Sequence, residues 1–244
     1  MDTEEGQSGT SASASSVYSM VIVLGTVSSY AAGWFLFMPA LVPILNTLAS
    51  YPFMLIALRR GELRLAIARM LIWALTMGVC ATAMSYVRPQ ETDRLFLRGE
   101  TYRIEMHRWV MTGVGDESTP SVFIPQQIGH AVLFSALTLV TAGALAMPMG
   151  AVLMNYMGHY VGTLAAIGKH PFVLMILGWH PWAVIRIVSF VVIGVVLSEP
   201  LAARRATNKR LLMWAGVGLV ADIVLKTLLA PAWQRLLITV VAGR

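Results

Sequence analysis

The chain of 244 residues contains little charge and a single cysteine. Charged residues make up 12% of it and hydrophobic residues 57%, whereas a soluble domain usually carries about 25% charged residues. The one cysteine, Cys80, lies within an apolar run, so a disulfide within this chain and a zinc site built from several cysteines are both excluded. The composition therefore argues against a soluble domain and against a disulfide-stabilised secreted one.

The chain also lacks the sequence motifs of the common enzyme classes. It contains no G-x-S-x-G, Walker A, dinucleotide-binding, H-E-x-x-H or rhomboid-type serine and histidine signature. The formal net charge of +6 comes from basic residues at the ends of apolar runs and not from a basic face interleaved with aromatic residues, so nucleic acid is not an expected partner. No internal repeat is visible, which weakens an analogy with transporters built from duplicated halves.

Long apolar runs are what the chain does contain, and they predict the fold class. A membrane-spanning helix needs about 20 apolar residues, and the alternation typical of a membrane barrel is missing. We therefore predict that residues 17–244 form one all-α, polytopic transmembrane helix bundle of six or seven spans, with the lipid bilayer as its main partner. Residues 1–16 are acidic and rich in serine and glycine, lack the positive start of a secretory signal, and are predicted to form a disordered tail.

The positions of proline and charge predict where the spans lie. A turn near Met38 and Pro43 separates the first two spans, although a re-entrant segment around Asn46 and Pro52 is the alternative. The run from Pro171 to Gly178 is too short to cross and is predicted to be re-entrant or interfacial. The predicted spans are 17–38, 42–58, 66–87, 128–147, 151–168 and 181–198, with a last one beginning after Arg210. Seven spans are preferred over six.

Two basic clusters predict the orientation of the bundle. The loops containing Arg59–Arg69 and Arg204–Arg210 are assigned to the cytoplasm because cytoplasmic loops carry an excess of lysine and arginine. Residues 88–127 then form a cap outside the cytoplasm. Within this cap the sequence fits either a hairpin around residues 98–100 or a helix from Tyr102 to Val110.

Ionisable residues within the last two apolar runs form the first candidate site. Such charges cost about 2.5–3.5 kcal/mol each on insertion scales and need partners or a wet cavity. Asp222 and Lys226 are four residues apart and share a helical face, so they are interpreted either as an internal ion pair or as a gated ion or proton pair. Arg186 on the preceding helix is a competing partner for Asp222, or it extends its side chain to the interface.

Asn155, His159 and Thr163 form a polar stripe beside the G-x-x-x-G pattern of Gly158 and Gly162. Small residues allow close helix approach, and polar side chains then bond across the contact. Helix packing is therefore preferred to ligand binding for this stripe.

The end of the cap provides a second candidate site. Residues 125–130 carry polar groups to the mouth of a span, so a ligand arriving from outside would meet Glu105, Gln126, Gln127 and His130. Haem or a metal ion held by His130 and His159 is the less favoured alternative, and otherwise no cofactor or metal is expected, because no two histidines lie close together on one helix. Four methionines near one turn invite a Cu(I) interpretation, but methionine is also a common filler of membrane helices; they are Met147, Met149, Met154 and Met157.

These candidates support three functional hypotheses. The first is a transporter, permease or channel-like subunit whose polar path is formed by Arg186, Asp222, Lys226, Asn155 and His159. The second is a structural or assembly subunit that contacts a membrane-protein partner or a second copy of the chain. The third is an intramembrane enzyme acting on a lipid-linked substrate, with His130 and a cap carboxylate as acid and base. The first is preferred because ionisable residues within spans mark substrate pathways.

Overall fold

A computed structural model describes the backbone of residues 5–243 and the side chains of residues 16–243. This part of the chain is an all-α bundle without strands, in agreement with the predicted fold class. Its helices are Glu5–Leu36 (α1), Leu41–Arg60 (α2), Leu63–Val87 (α3), Pro89–Leu95 (α4), Gly99–Thr112 (α5), Pro120–Thr141 (α6), Ala146–Ile167 (α7), Pro171–Gly178 (α8), Pro181–Ala203 (α9) and Lys209–Ala242 (α10). Part of the predicted tail, residues 1–4, lies outside the described residues, and α1 begins at Glu5.

The long helices run between two ends of the bundle. The two basic loops meet at one of these ends. There the guanidinium group of Arg205 lies so close to Gly61 that a Cβ atom on Gly61 would collide with it. We call this the basic end. Gly61 closes the tight turn between α2 and α3 in the left-handed conformation (φ 79°) that glycine adopts without strain. The short helices α4 and α5 lie at the other end, the cap end, beyond the end of α3 at Val87.

Six helices of the described chain are long and apolar enough to cross a membrane: Ser16–Leu36 of α1 together with α2, α3, α6, α9 and α10. This establishes a multi-pass membrane protein. The seventh long helix, α7, runs from the turn after α6 to the cap end, where the Lys169 amide donates to the Val241 carbonyl. Most of α7 is buried among the other helices, so it needs less apolar surface than a lipid-facing helix.

Two predicted boundaries were wrong, and proline is the reason in both cases. The fourth span was predicted to begin at residue 128, but α6 begins at Pro120 and continues through Pro125. The turn predicted around residues 147–150 lies instead at residues 142–145, so that Pro148 falls in the first turn of α7. Proline needs no hydrogen-bond acceptor in the first turn of a helix, and there it starts a helix instead of ending one.

The first hairpin and the helical form of the cap agree with the structure. α1 and α2 are joined by a short turn at residues 37–40, and α2 continues through Pro52 without a re-entrant break. In the cap, α5 contains the predicted helix Tyr102–Val110, begins earlier at Gly99, and stops at Gly113 in a left-handed conformation. Arg69 was predicted to lie in a cytoplasmic loop, but it is buried in α3, where its Nη1 donates to the Phe53 carbonyl at 3.0 Å.

The G-x-x-x-G pattern of α7 is the contact between α7 and α3. A Cβ atom on Gly158 would lie 2.5 Å from the Ala81 Cβ. One on Gly162 would collide with the Thr82 carbonyl and lie 2.9 Å from the Tyr86 amide nitrogen. Backbone atoms cannot move aside as a flexible side chain can, so these glycines fix how closely α3 and α7 approach.

Replacing Gly162 with alanine is therefore expected to lower the free energy of unfolding by about 1–3 kcal/mol, the usual cost of forcing an extra methyl group into a packed interior. The matched control is Gly150→Ala on the same helix, since a Cβ atom there would meet only a Phe134 ring carbon at 3.6 Å. Thermal denaturation of the detergent-solubilised variants measures both. Equal melting temperatures would contradict the assignment of Gly162 as a packing residue.

Candidate ligand-binding cavity

A cavity of about 730 Å³ lies between the cap and the long helices, within the size range of small-molecule sites. Its walls come from α3, α5, α6, α7, α9 and α10. Seven of the residues singled out from the sequence line it: Glu105, Gln126, Gln127, His130, Arg186, Asp222 and Lys226. The structure thus brings the cap and mouth residues together with the intramembrane charges.

Asn155 and His159 are not among the residues that line this cavity. The Asn155 Oδ1 accepts a hydrogen bond of 2.5 Å from the Tyr30 hydroxyl, which joins α7 to α1. His159 is fully buried and bonded to α3 and α4. Both residues face other parts of the bundle, so they are not included in the site proposed here.

The charged residues at the cap side of the cavity form two ion pairs. Arg186 donates from Nε to Asp222 Oδ2 at 2.9 Å and from Nη2 to Oδ1 at 3.1 Å. This geometry is bidentate and occupies both carboxylate oxygens. Only 2% of the Asp222 side chain is exposed, so its charge depends on Arg186.

Lys226 pairs with the cap and not with Asp222. Its Nζ lies 2.8 Å from Glu117 Oε2 and 4.2 Å from the centroid of the Phe123 ring. Burial alone would raise the pKa of the Glu117 carboxyl group, but the nearby cations Lys226 and Arg186 outweigh burial and place that pKa below its usual value. Glu117 lies in the 3-10 turn Asp116–Ser118 between α5 and α6, so this pair ties the cap to α10.

The rest of the cavity wall is mostly apolar. Trp73 and five methionines contribute to it, and methionine side chains adapt to ligands of different shape; the methionines are Met70, Met77, Met147, Met154 and Met157. Phe134 also lines the cavity and packs against Phe190 with ring centroids 4.9 Å apart. Phe134 belongs to a buried cluster with Ala146, Ile193, Leu197 and Ala215. The cavity therefore borders this cluster.

The wall of the cavity includes exposed apolar residues of α6 and α10. Helix α6 packs mainly on α7 and α9, and α10 mainly on α9 and the cap. Both helices contribute wall residues that are largely exposed, namely Ile128 and Val132 on α6 and Val220 on α10. An apolar rim of this kind, at the level of the spans, faces hydrocarbon.

A second polar network lies at the cap end, outside the cavity. The Asp93 carboxylate of α4 accepts two hydrogen bonds of 2.8 Å from Arg103 of α5 and one of 2.8 Å from His159 Nε2. His159 Nδ1 lies 2.8 Å from the Ser85 hydroxyl of α3. Because an ionised carboxylate only accepts, Nε2 carries the proton and Nδ1 accepts from Ser85.

This network contains a serine, a histidine and an aspartate, but its geometry is structural. Ser85 and His159 are both fully buried, and neither lines the cavity. The aspartate bonds Nε2 and the serine bonds Nδ1, the reverse of the arrangement in serine hydrolases. A substrate has no route to the Ser85 oxygen in this structure, so the network serves to join α3, α4, α5 and α7.

Two cap residues, one within this network and one beside it, have shifted pKa values. Burial would raise the pKa of Asp93, but hydrogen bonds from Arg103 and His159 outweigh burial and lower it. Burial, together with the charge of Arg103, lowers the pKa of His107 to about 4. His107 is therefore neutral at physiological pH. Its Nε2 lies 3.1 Å from the Thr163 hydroxyl of α7.

The sequence offered little indication of these partners. Asp93 and Arg103 lie in a loop of mixed charge where a solvated surface is the default expectation, and Ser85 is an ordinary small residue in a span. His159 was noted for its place in a polar stripe, yet helical periodicity shows the face a residue occupies and not its neighbour. A buried histidine is unfavourable without a hydrogen-bond partner. A histidine within a span was therefore the one signal in the sequence that such partners exist.

The geometry places His130 and His159 in different surroundings. His130 lines the cavity, whereas both ring nitrogens of His159 are hydrogen bonded to Asp93 and Ser85. Among the described residues, no group of three or more histidine, cysteine, aspartate or glutamate side chains is placed to hold a metal ion. Haem or metal binding through these two histidines, the less favoured alternative from the sequence, stays a prediction.

Comparison with family models, curated proteins and solved structures finds no match to this chain.

Proposed function

We propose that this multi-pass membrane protein is a lipid transporter that binds the polar head group of a lipid in the cavity beneath the cap. The observation that carries the proposal is the distribution of polarity in the cavity. Ion pairs lie under the cap, the deeper wall is apolar, and the wall includes exposed apolar residues of α6 and α10.

The size of the cavity supports a ligand whose head group lies inside the cavity and whose acyl chains lie mostly outside it. A volume of about 730 Å³ holds a head group and the first part of the acyl chains, and the remaining chains extend past the exposed apolar residues of α6 and α10 into the bilayer. A soluble substrate would gain nothing from these apolar residues. The enzyme hypothesis from the sequence named a lipid-linked substrate. In the present proposal a lipid is the ligand of a transporter.

The cluster that borders the cavity supports transport by alternating access. Phe134 lines the cavity and belongs to a buried cluster on its side toward the basic end, so in this proposal a head group bound under the cap reaches that end when this cluster opens. Helix α6 is the element best placed to move, since few of its residues are buried; they are Phe123, Phe134 and Thr138.

The test is lipid movement in proteoliposomes. Lipids labelled with nitrobenzoxadiazole on one acyl chain are incorporated into both leaflets, and dithionite then quenches the outer leaflet. Four head groups on identical chains are compared: glucosyl, phosphocholine, phosphoglycerol and trimethylammonium. We expect the wild type to move at least one of these lipids faster than protein-free liposomes.

Gly216→Trp is the decisive variant, with Gly129→Trp as its matched control. Gly216 lines the cavity on α10, and a Cβ atom there would meet nothing within 4 Å, so the indole fills the pocket without a backbone clash. Gly129 on α6 is equally open but does not line the cavity. We expect lipid movement to be lost in Gly216→Trp and retained in Gly129→Trp. Equal rates in both variants, or no movement of any head group by the wild type, would overturn the proposal.

A further inference from the structure

The charged groups inside the cavity leave no net charge for a ligand to neutralise. Arg186 and Asp222 pair with each other through both carboxylate oxygens, and Lys226 pairs with Glu117. Two further charged residues line the cavity, Arg98 and Glu105, and both are exposed and of opposite sign. The cavity is therefore electrically balanced before any ligand arrives.

The buried side-chain atoms of the cavity wall that lack a hydrogen-bond partner are neutral. Gln127 has both its Oε1 and its Nε2 buried without a hydrogen-bond partner in the described structure, and the indole Nε1 of Trp73 is in the same state. Both residues line the cavity. Unpaired polar atoms in a buried position are unfavourable, so these three atoms would gain hydrogen bonds from a ligand once their side chains turned toward the cavity.

The chemistry of these atoms specifies what the ligand carries. A carboxamide offers one acceptor and two donor hydrogens, and an indole offers one donor hydrogen. Hydroxyl groups satisfy both, because a hydroxyl donates one hydrogen bond and accepts others. Gln127 therefore fits a head group bearing hydroxyls, and Trp73 donates to a second oxygen nearer the acyl chains.

A charged head group fits this wall poorly. Away from the exposed Arg98 and Glu105, a phosphate or an ammonium group would enter without a free counterion, or it would displace one partner of an existing pair and leave the other partner buried and uncompensated. Neutral groups incur no such penalty. This inference rests on the proposed lipid transport. We propose that the cavity selects lipids with an uncharged, hydroxyl-rich head group, that is, glycosyl lipids.

The four tail-labelled lipids described above test the selectivity. We expect the glucosyl lipid to move at least tenfold faster than the phosphoglycerol and trimethylammonium lipids, with phosphocholine also slower. Faster movement of a charged or phosphocholine lipid, dependent on an open Gly216 position, would overturn this inference and leave the transport proposal intact. Absence of movement for every lipid would overturn the transport proposal and this inference with it.

Gln127→Met tests the assigned contact, and Gln90→Met is its control. Methionine keeps the length of the side chain but removes the hydrogen bonds, so we expect movement of the glucosyl lipid to fall about tenfold, the larger end of what a hydrogen bond contributes. Gln90 is exposed on α4 and does not line the cavity, and its variant is expected to behave as the wild type.

Thermal stability separates a ligand contact from a structural one. Because Gln127 has no partner within the described protein, methionine there is expected to leave the melting temperature of the ligand-free protein unchanged or raised. Added glucosyl lipid is expected to raise the melting temperature of the wild type more than that of Gln127→Met. A lower melting temperature of ligand-free Gln127→Met would show that Gln127 acts within the fold, and would overturn its assignment as the head-group contact.

Discussion

Replacing Asp93 with asparagine is expected to lower the free energy of unfolding by about 3–5 kcal/mol, the usual cost of removing one partner of a buried charge pair. The Asp93 side chain is 11% exposed and accepts from both Arg103 and His159. Asparagine has a single acceptor oxygen. Its NH₂ group would take the place of the second oxygen and face a donor of Arg103 or His159, so one hydrogen bond is replaced by a donor–donor contact. The measurement is thermal or denaturant unfolding of the solubilised protein, followed by circular dichroism.

The control for Asp93→Asn lies on the same short helix. Glu91 pairs with Arg88 at 3.4 Å, and both side chains are well exposed, at 40% and 63%. Exposed ion pairs of this kind contribute about 0–1 kcal/mol, so Glu91→Gln is expected to change stability little. If both variants lost the same stability, the Asp93 network would not be what holds α4 and α5 to α7.

Replacing Lys226 with methionine is the second change with a large expected effect. It leaves the Glu117 carboxylate, which is 22% exposed, without its cation, and we expect a loss of about 3 kcal/mol. The double variant Lys226→Met, Glu117→Gln removes both charges and is expected to recover most of that loss, because a neutral pair needs no counterion. The same unfolding assay measures both variants.

Acid provides an independent check on this pair. The folded-state pKa of Glu117 lies below its ordinary value of 4.5, so the unfolded chain binds the proton more readily than the folded one. The stabilising contribution of the pair is complete above pH 4.5 and is lost as the pH falls through the folded-state pKa. This part of the acid sensitivity is expected to disappear in the double variant. A double variant as unstable as Lys226→Met alone would contradict the pairing.

The fold class, several polar residues of the cavity and the Arg186–Asp222 pair could be predicted from the sequence, whereas the pairing of Lys226 with the cap could not. Apolar runs of sufficient length predict spans because the bilayer imposes one requirement on every backbone. Arg186, Asp222 and Lys226 attracted attention because charge within such a run is expensive. Their partners depend on how helices distant in sequence approach one another, and so Lys226 pairs with Glu117 of the cap and not with Asp222 four residues away.

The same limit explains the division of the predicted polar path. Asn155 and His159 lie on α7, as do the cavity residues Met154 and Met157, but a helix presents different neighbours on each face. Spacing along the chain predicts that Asn155 and His159 share a face. It does not predict that this face meets Tyr30, Ser85 and Asp93 instead of the cavity.

Helix α5 places two adjacent side chains in two different parts of the molecule. Tyr102 lines the cavity, and Arg103, the next residue, holds Asp93 and through it His159 of α7. A helical turn is stiff, so a ligand that displaced Tyr102 would also displace Arg103. Helix α5 thus connects the cavity to α7, and occupancy of the cavity would be felt at His159 through Arg103 and Asp93.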